Sequence, residues 1–256
     1  MRRIGKMAVL DQPTGDVLIA GDIHGDLEAF ERAVAVHEET PGSILVFLGD
    51  YADRGDRGLE VIERLAGMID SRVIALKGNH EDYLDGSPTF TPWDLWWEVE
   101  EKRGTEWVEF FKWFEENFLN RLVLALLIPG VALCVHGGVC GKIRGLKDLQ
   151  NPDRETEECI LWSDPLDMPG EYPNPRGVGK LFGPDVTKSV LEALGVKVLI
   201  RSHEPVKATQ GPFPEHGGLV ITTSTTSVYG GRPFLLRIDL SKGLNPQELE
   251  RHTVFL

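Results

Sequence analysis

The hydrophobic pattern of this chain is a series of short apolar runs, each ending abruptly in glycine, acid or histidine. Asp16-Val17-Leu18-Ile19-Ala20 runs into Gly21-Asp22-Ile23-His24-Gly25-Asp26. Ser43 to Leu48 runs into Gly49-Asp50-Tyr51-Ala52-Asp53-Arg54-Gly55, and Val73-Ile74-Ala75-Leu76 into Lys77-Gly78-Asn79-His80-Glu81. Runs of this length bounded by turn residues predict buried strands, with the polar residues in loops at their C-terminal ends. Between the strands, apolar residues fall at helical spacing. Leu27, Phe30 and Val34 mark one helix, N-capped by Asp26 and broken at Pro41-Gly42. Leu59, Ile62, Leu65 and Ile69 mark a second. This alternation of strand, loop and helix predicts βαβ units and a mostly parallel sheet.

Residues 83–128 break the pattern. They hold five of the six tryptophans, and Trp107, Phe110, Phe111, Phe114 and Phe118 recur at helical spacing. Such a stripe predicts a helical cap packed on the sheet, with Glu98, Glu100, Glu101, Glu109, Glu115 and Glu116 as its solvated face. The other reading is that Trp93, Trp96 or Trp97 lines a substrate groove. The second half returns to strands: 131–135 ending in His136-Gly137-Gly138, 160–165 ending in an acidic turn, and 196–200 ending in Arg201-Ser202-His203-Glu204. A Pro/Gly-rich loop spans 168–183, and a helix over 186–194 should stop at Gly195. Runs at 219–226, 234–240 and 250–256 have no helices between them, so this half looks more antiparallel. The expected architecture is a mixed α+β or α/β fold. It is a two-layer mixed β-sandwich flanked by helices, with a single doubly wound sheet as the alternative. No repeat, linker or low-complexity tract marks a boundary, so residues 1–256 read as one domain.

Composition narrows the class. Apolar content of 41% and charged content of 26% suit a water-soluble globular protein. A net charge of −13 argues against a nucleic-acid binder and requires any anionic substrate to be attracted locally. Three cysteines without a CxxC pair make neither a disulfide framework nor a zinc knuckle, and they suggest a reducing compartment. Cys140 and Cys159 could approach one another, though nothing in the pattern requires it. The basic start lacks the apolar stretch of a signal peptide, and the run 122–128 is too short to span a bilayer. A cytoplasmic protein with no membrane attachment is expected.

The candidate chemistry lies at the strand ends. Four of the seven histidines, His24, His80, His136 and His203, directly follow apolar runs and alternate with Asp-Gly pairs; His37, His216 and His252 lack that setting and read as surface residues. Glycines beside them would let loop backbones approach one another closely. Asp, Asn and His donors without thiolate suit Mn²⁺, Fe or Zn²⁺, in a supply large enough for two ions. Two such ions sharing a carboxylate and a hydroxide promote in-line attack on phosphorus.

Gly-Asp-Ile-His-Gly, Gly-Asp-Tyr-Ala-Asp-Arg-Gly, Gly-Asn-His-Glu, His-Gly-Gly and Arg-Ser-His-Glu, in this order, resemble the signature of the phosphoprotein phosphatase family. These are serine/threonine phosphatases of the calcineurin-like metallophosphoesterase superfamily. Trp162-Ser163-Asp164-Pro165 and Asn174-Pro175-Arg176-Gly177-Val178-Gly179 are similar to more specific blocks of that family. The resemblance implies the calcineurin-like fold and two divalent metals, Mn²⁺ first in vitro, with Fe or Zn²⁺ as alternatives. By it, Asp22 and His24 hold one ion, Asp50 bridges, and Asn79, His136 and His203 complete the second. His80 is the general acid, oriented by Asp53. Arg54, Arg176, Tyr229 and Asn79 bind phosphate, and Arg201 and Asp164 support them from behind. Glu81 and Glu204 read instead as loop anchors.

Departures from the eukaryotic members are Lys77 before Gly-Asn-His-Glu, Val139-Cys140-Gly141 after His-Gly-Gly, and Thr225-Thr226-Ser227-Val228 before Tyr229. They suggest a compact prokaryotic-type member and leave regulatory subunits undefined. The expected activity is hydrolysis of phosphomonoesters on proteins. The alternative is cleavage of diadenosine tetraphosphate or another small phosphoester. A third reading, a non-catalytic scaffold, predicts eroded ligands, and every expected ligand is present.

Overall fold

Along each central strand, alternate side chains enter different cores. In the computed structural model, which describes residues 1–11 and 15–256, Val17 and Ile19 face one core while Leu18 and Ala20 face another. The same alternation holds for Val46 and Leu48 against Leu45 and Phe47. A strand covered on both faces must be apolar on both, which explains the unbroken hydrophobic runs.

The order is β1 (Arg2–Ile4), β2 (Met7–Val9), β3 (Asp16–Ala20), α1 (Leu27–Glu38), β4 (Ile44–Phe47), α2 (Gly58–Ala66) and β5 (Val73–Ala75). A small hairpin, β6 (Tyr83–Leu84) and β7 (Ser87–Pro88), precedes α3 (Leu95–Trp97), which continues as a π-helical stretch over Glu98–Arg103, and α4 (Trp107–Asn117). Then come β8 (Ala125–Ile128), β9 (Ala132–Val135), α5 (Leu146–Gln150), α6 (Arg154–Trp162), β10 (Asp164–Pro165), β11 (Glu171–Pro173), β12 (Lys180–Phe182) and α7 (Pro184–Leu194). The chain ends with β13 (Val198–Arg201), β14 (Phe213–Glu215), β15 (Val220–Thr222), β16 (Phe234–Asp239) and β17 (Thr253–Phe255).

Two large sheets result, ordered β1-β2-β8-β9-β13-β15-β14 and β17-β16-β3-β4-β5. Val17, Val46, Ile74, Leu126, Cys134, Ile200 and Leu236 belong to the shared core between them. The outer face of the five-stranded sheet packs on α1, α2 and α4; that of the seven-stranded sheet packs on α6 and α7. The expected sandwich with helices outside is therefore present, and the doubly wound sheet is not. Trp107, Phe110, Phe114 and Phe118 are buried in the outer core, as a helical cap requires.

Some expectations need correction. Residues 160–162 end a helix rather than form a strand. Asp153 accepts the Thr156 N–H as N-cap, Glu155 and Glu157 occupy the first turn, and only Asp164–Pro165 pairs as a strand. The second half is mixed rather than antiparallel, because β9, β13 and β15 run parallel. Glu98 is not on a solvated face. It is buried, and its carboxylate accepts the Gly58 and Leu59 N–H groups at the start of α2, which has no side-chain cap of its own. His37 and His216 are buried, bonded to Ser43 Oγ and Thr187 Oγ1 respectively, and His252 is half-buried. Cys140 and Cys159 are paired as a disulfide, with Cα atoms 6.2 Å apart. No helix among the described residues is long and apolar enough to cross a membrane.

Candidate active site

The topology brings the functional loops to one rim. β3, β4 and β5 are parallel neighbours in one sheet, and β9 and β13 are parallel neighbours in the other. Their C-terminal ends deliver Asp22 and His24, Asp50 and Asp53, Asn79 and His80, His136, and His203. All eight side chains are buried. Convergence this tight strains the backbone: His24, Asp50, Asp53, Arg54 and His203 all have positive φ, between 47° and 74°. Gly49 has no alternative, since a Cβ there would lie 2.5 Å from Gly78 Cα and 2.9 Å from His136 Nδ1.

The imidazoles are oriented from behind. His24 Nδ1 faces the Ala52 carbonyl at 3.1 Å and His136 Nδ1 faces the Leu48 carbonyl at 3.0 Å. Burial lowers the His24 pKa to about 3 and holds those of His136 and His203 well below the ordinary value. Each ring therefore carries one proton at neutral pH. In His24 and His136 the carbonyl claims it, which leaves Nε2 as a bare lone pair pointing inward. His136 Nε2 then meets Asn79 Oδ1 at 2.9 Å, His203 Nδ1 at 3.1 Å and Asp50 Oδ1 at 3.3 Å. His24 Nε2 lies 3.5 Å from Asp50 Oδ2 and 3.9 Å from Asp22 Oδ2. Asp22 Oδ2 and His203 Nε2 are buried without a hydrogen-bond partner. So many electron-rich atoms facing one another are mutually repulsive unless cations lie among them. The donor set therefore fits divalent metal. His24, Asp50 and His80 form one metal-sized group, and Asp50, His136 and His203 form another. Asp50 belongs to both. The geometry thus also admits His80, expected as the general acid, beside the first site.

His80 Nδ1 is 2.7 Å from Asp53 Oδ2, and the other Asp53 oxygen accepts the Asp94 and Leu95 N–H groups at 2.6 and 2.8 Å. Burial opposes a charged ring, but Asp50 and the Asp53 hydrogen bond outweigh it and raise the His80 pKa. Phe90 covers His80, with ring centroids 4.5 Å apart. Asp94 also takes the Arg54 N–H at 3.0 Å, while the Arg54 side chain reaches the Thr91 carbonyl. The aromatic segment therefore supports the site as well as capping the core. This was missed because Asp94 lies in no motif. Trp96 and Trp97 are exposed, whereas Trp93 is half-buried and packs edge-on against Trp107, with ring centroids 5.0 Å apart.

On the opposite side Asp164 links two arginines, with Arg176 Nε at 2.9 Å and Arg201 Nη2 at 2.9 Å. Arg201 is fully buried and also binds Glu204, whereas Arg176 remains partly exposed, its guanidinium available. Glu81 accepts N–H groups from Asp50, Tyr51 and Gly78, an anchor as expected. Tyr229 packs against His24, with ring centroids 5.5 Å apart. Ser202 lies inside the Arg-Ser-His-Glu motif, which gives it no role of its own; its hydroxyl bonds Asp22.

Comparison with known proteins bears on this geometry. The calcineurin-like phosphoesterase family matches residues 15–207. The chain belongs to that family. Among curated relatives, serine/threonine-protein phosphatase C23G10.1 of Caenorhabditis elegans is 33% identical over 204 residues, covering 75% of this chain and 44% of the relative. Serine/threonine-protein phosphatase 5 of Arabidopsis thaliana is 35% identical over 228 residues, covering 83% and 40%. The chain thus spans less than half the length of both. A Saccharomyces cerevisiae protein serine/threonine phosphatase, described as similar to human phosphatase PP5, superposes with a TM-score of 0.76 at 24% identity, covering 99% of this chain and 83% of that one. A protein provisionally described as a diadenosine tetraphosphatase superposes with a TM-score of 0.57 at 17% identity, covering 98% and 97%. These two likenesses concern the fold.

Proposed function

We propose that residues 1–256 form one catalytic domain, a two-metal phosphomonoesterase acting on phosphoserine or phosphothreonine in proteins. The observation that carries this reading is the meeting of Asp22, His24, Asp50, Asn79, His136 and His203 in one buried cluster, with inward lone pairs and an unpartnered Asp22 oxygen. Asp22, His24 and Asp50 would hold one ion, and Asp50, Asn79, His136 and His203 the other. Oxygen and nitrogen donors suit Mn²⁺, Fe or Zn²⁺. Bound there, the two ions would supply Lewis acidity and an activated water.

The chain's own groups supply the rest. Arg176, held by Asp164, and Arg54, fixed by Asp94 and Thr91, take the phosphate oxygens in a protein whose overall charge of −13 repels them. Tyr229 closes the wall beside His24. With Nδ1 committed to Asp53, protonated His80 delivers the Nε2 proton to the leaving oxygen of serine or threonine. The curated relatives named as serine/threonine phosphatases favour a protein substrate.

Turnover of a phosphothreonine peptide and of diadenosine tetraphosphate, each with and without chelator, tests the proposal. The expected result is chelator-sensitive hydrolysis of the peptide. Cleavage of the nucleotide alone would replace the substrate assignment, and hydrolysis indifferent to chelator would remove the metals.

A further inference from the structure

We propose that Ser202 is a positioning residue that sets the first metal site by fixing Asp22 from the opposite sheet; the inference rests on the two-metal reading above. Ser202 is fully buried between Arg201 and His203, at the end of β13. Its Oγ accepts the Asp22 N–H at 2.7 Å and donates to Asp22 Oδ1 at 2.5 Å. The His203 N–H donates to the same oxygen at 3.0 Å. The Ser202 N–H, in turn, is tied to the His136 carbonyl at 2.9 Å. One oxygen of Asp22 therefore takes two donors, and the other, Oδ2, is buried with none and points toward His24 Nε2.

A hydroxyl has one proton to give. The Thr223 carbonyl is a second acceptor for it at 3.1 Å, but the carboxylate is nearer and charged, so Asp22 takes it. The result is a carboxylate whose torsion is locked and whose free oxygen is aimed. The bond also spans the sandwich. Asp22 follows β3 in the five-stranded sheet, Ser202 follows β13 in the seven-stranded sheet, and 180 positions of sequence separate them. Ser202 thus fixes Asp22 relative to His136 and His203, which belong to the other half of the site.

Mn²⁺ titration of the metal-free protein by calorimetry, wild type against Ser202→Ala, tests this. The wild type should take up two equivalents. In Ser202→Ala one of the two steps should weaken about tenfold or more, the range typical of groups behind a metal ligand. The other step should keep its affinity, because Asn79, His136 and His203 do not rely on the hydroxyl. Ser202→Thr, which keeps the hydroxyl, should restore the weakened step. The urea midpoint of the metal-free variants is measured alongside. Equal weakening of both steps with a lowered metal-free midpoint would mean a structural role only and would overturn the assignment. Two wild-type steps unchanged in Ser202→Ala would overturn it while leaving the two-metal reading intact. Fewer than two equivalents on the wild type would overturn that reading, and this assignment with it.

Discussion

Asp82 stands directly behind the loop that carries Asn79 and His80, and its charge is surrounded by cations. It is fully buried, with Lys77 Nζ at 2.7 Å and the Arg154 guanidinium at 2.6 and 3.1 Å. Burial pushes its carboxyl up, but the hydrogen bonds of Arg154 and the charge and hydrogen bond of Lys77 prevail and bring the pKa from 3.8 to about 2. At 1.36 kcal/mol per pH unit, that difference makes the charged carboxylate worth about 2 kcal/mol of folding stability at neutral pH. The folded pKa lies below the ordinary one. The contribution is therefore complete above about pH 4 and disappears as pH falls through about 2; near pH 3 about half remains. Asp82→Asn removes it. Urea unfolding of metal-free wild type and variant, each with chelator present, should differ by about 2 kcal/mol at pH 6 and by roughly half that at pH 3. A difference that does not change between these pH values would refute the electrostatic origin and leave only lost packing or hydrogen-bond geometry.

Other consequences can be measured directly. His80→Asn should lower kcat about 10²- to 10⁴-fold with metal content unchanged, measured by elemental analysis and steady-state kinetics; loss of metal would instead put His80 among the ligands. Arg176→Ala should weaken inhibition by inorganic phosphate, and an unchanged inhibition constant would exclude the clamp. Glu98→Ala leaves the Gly58 and Leu59 N–H groups without their acceptor and should cost about 1–3 kcal/mol in thermal or urea unfolding.

Much of the site is legible in the sequence because strand-end loops concentrate their chemistry in a few adjacent residues. Gly21 to Asp26, Gly49 to Gly55 and Lys77 to Glu81 each pair an apolar run with polar residues, and a period-2 strand buried on both faces produces that pattern locally. The chain alone therefore determined β3, β4 and β5, the aromatic cap and the eight strand-end residues that meet, but not β1, β2 or β8. What it could not determine was anything set by a partner distant in sequence. Residues 160–162 are apolar in either a strand or a helix, and Asp153 and the packing of α6 on the second sheet decided for a helix. Glu98 looks like any surface acid until folding brings it to the bare N-terminus of α2, 39 and 40 residues earlier. Asp94 lies in no motif and Ser202 sits in one without a role, because a hydroxyl or a carboxylate gains its meaning from the group it touches. Periodicity is written residue by residue along the polymer; the partners of buried polar groups exist only once the two sheets have closed on one another.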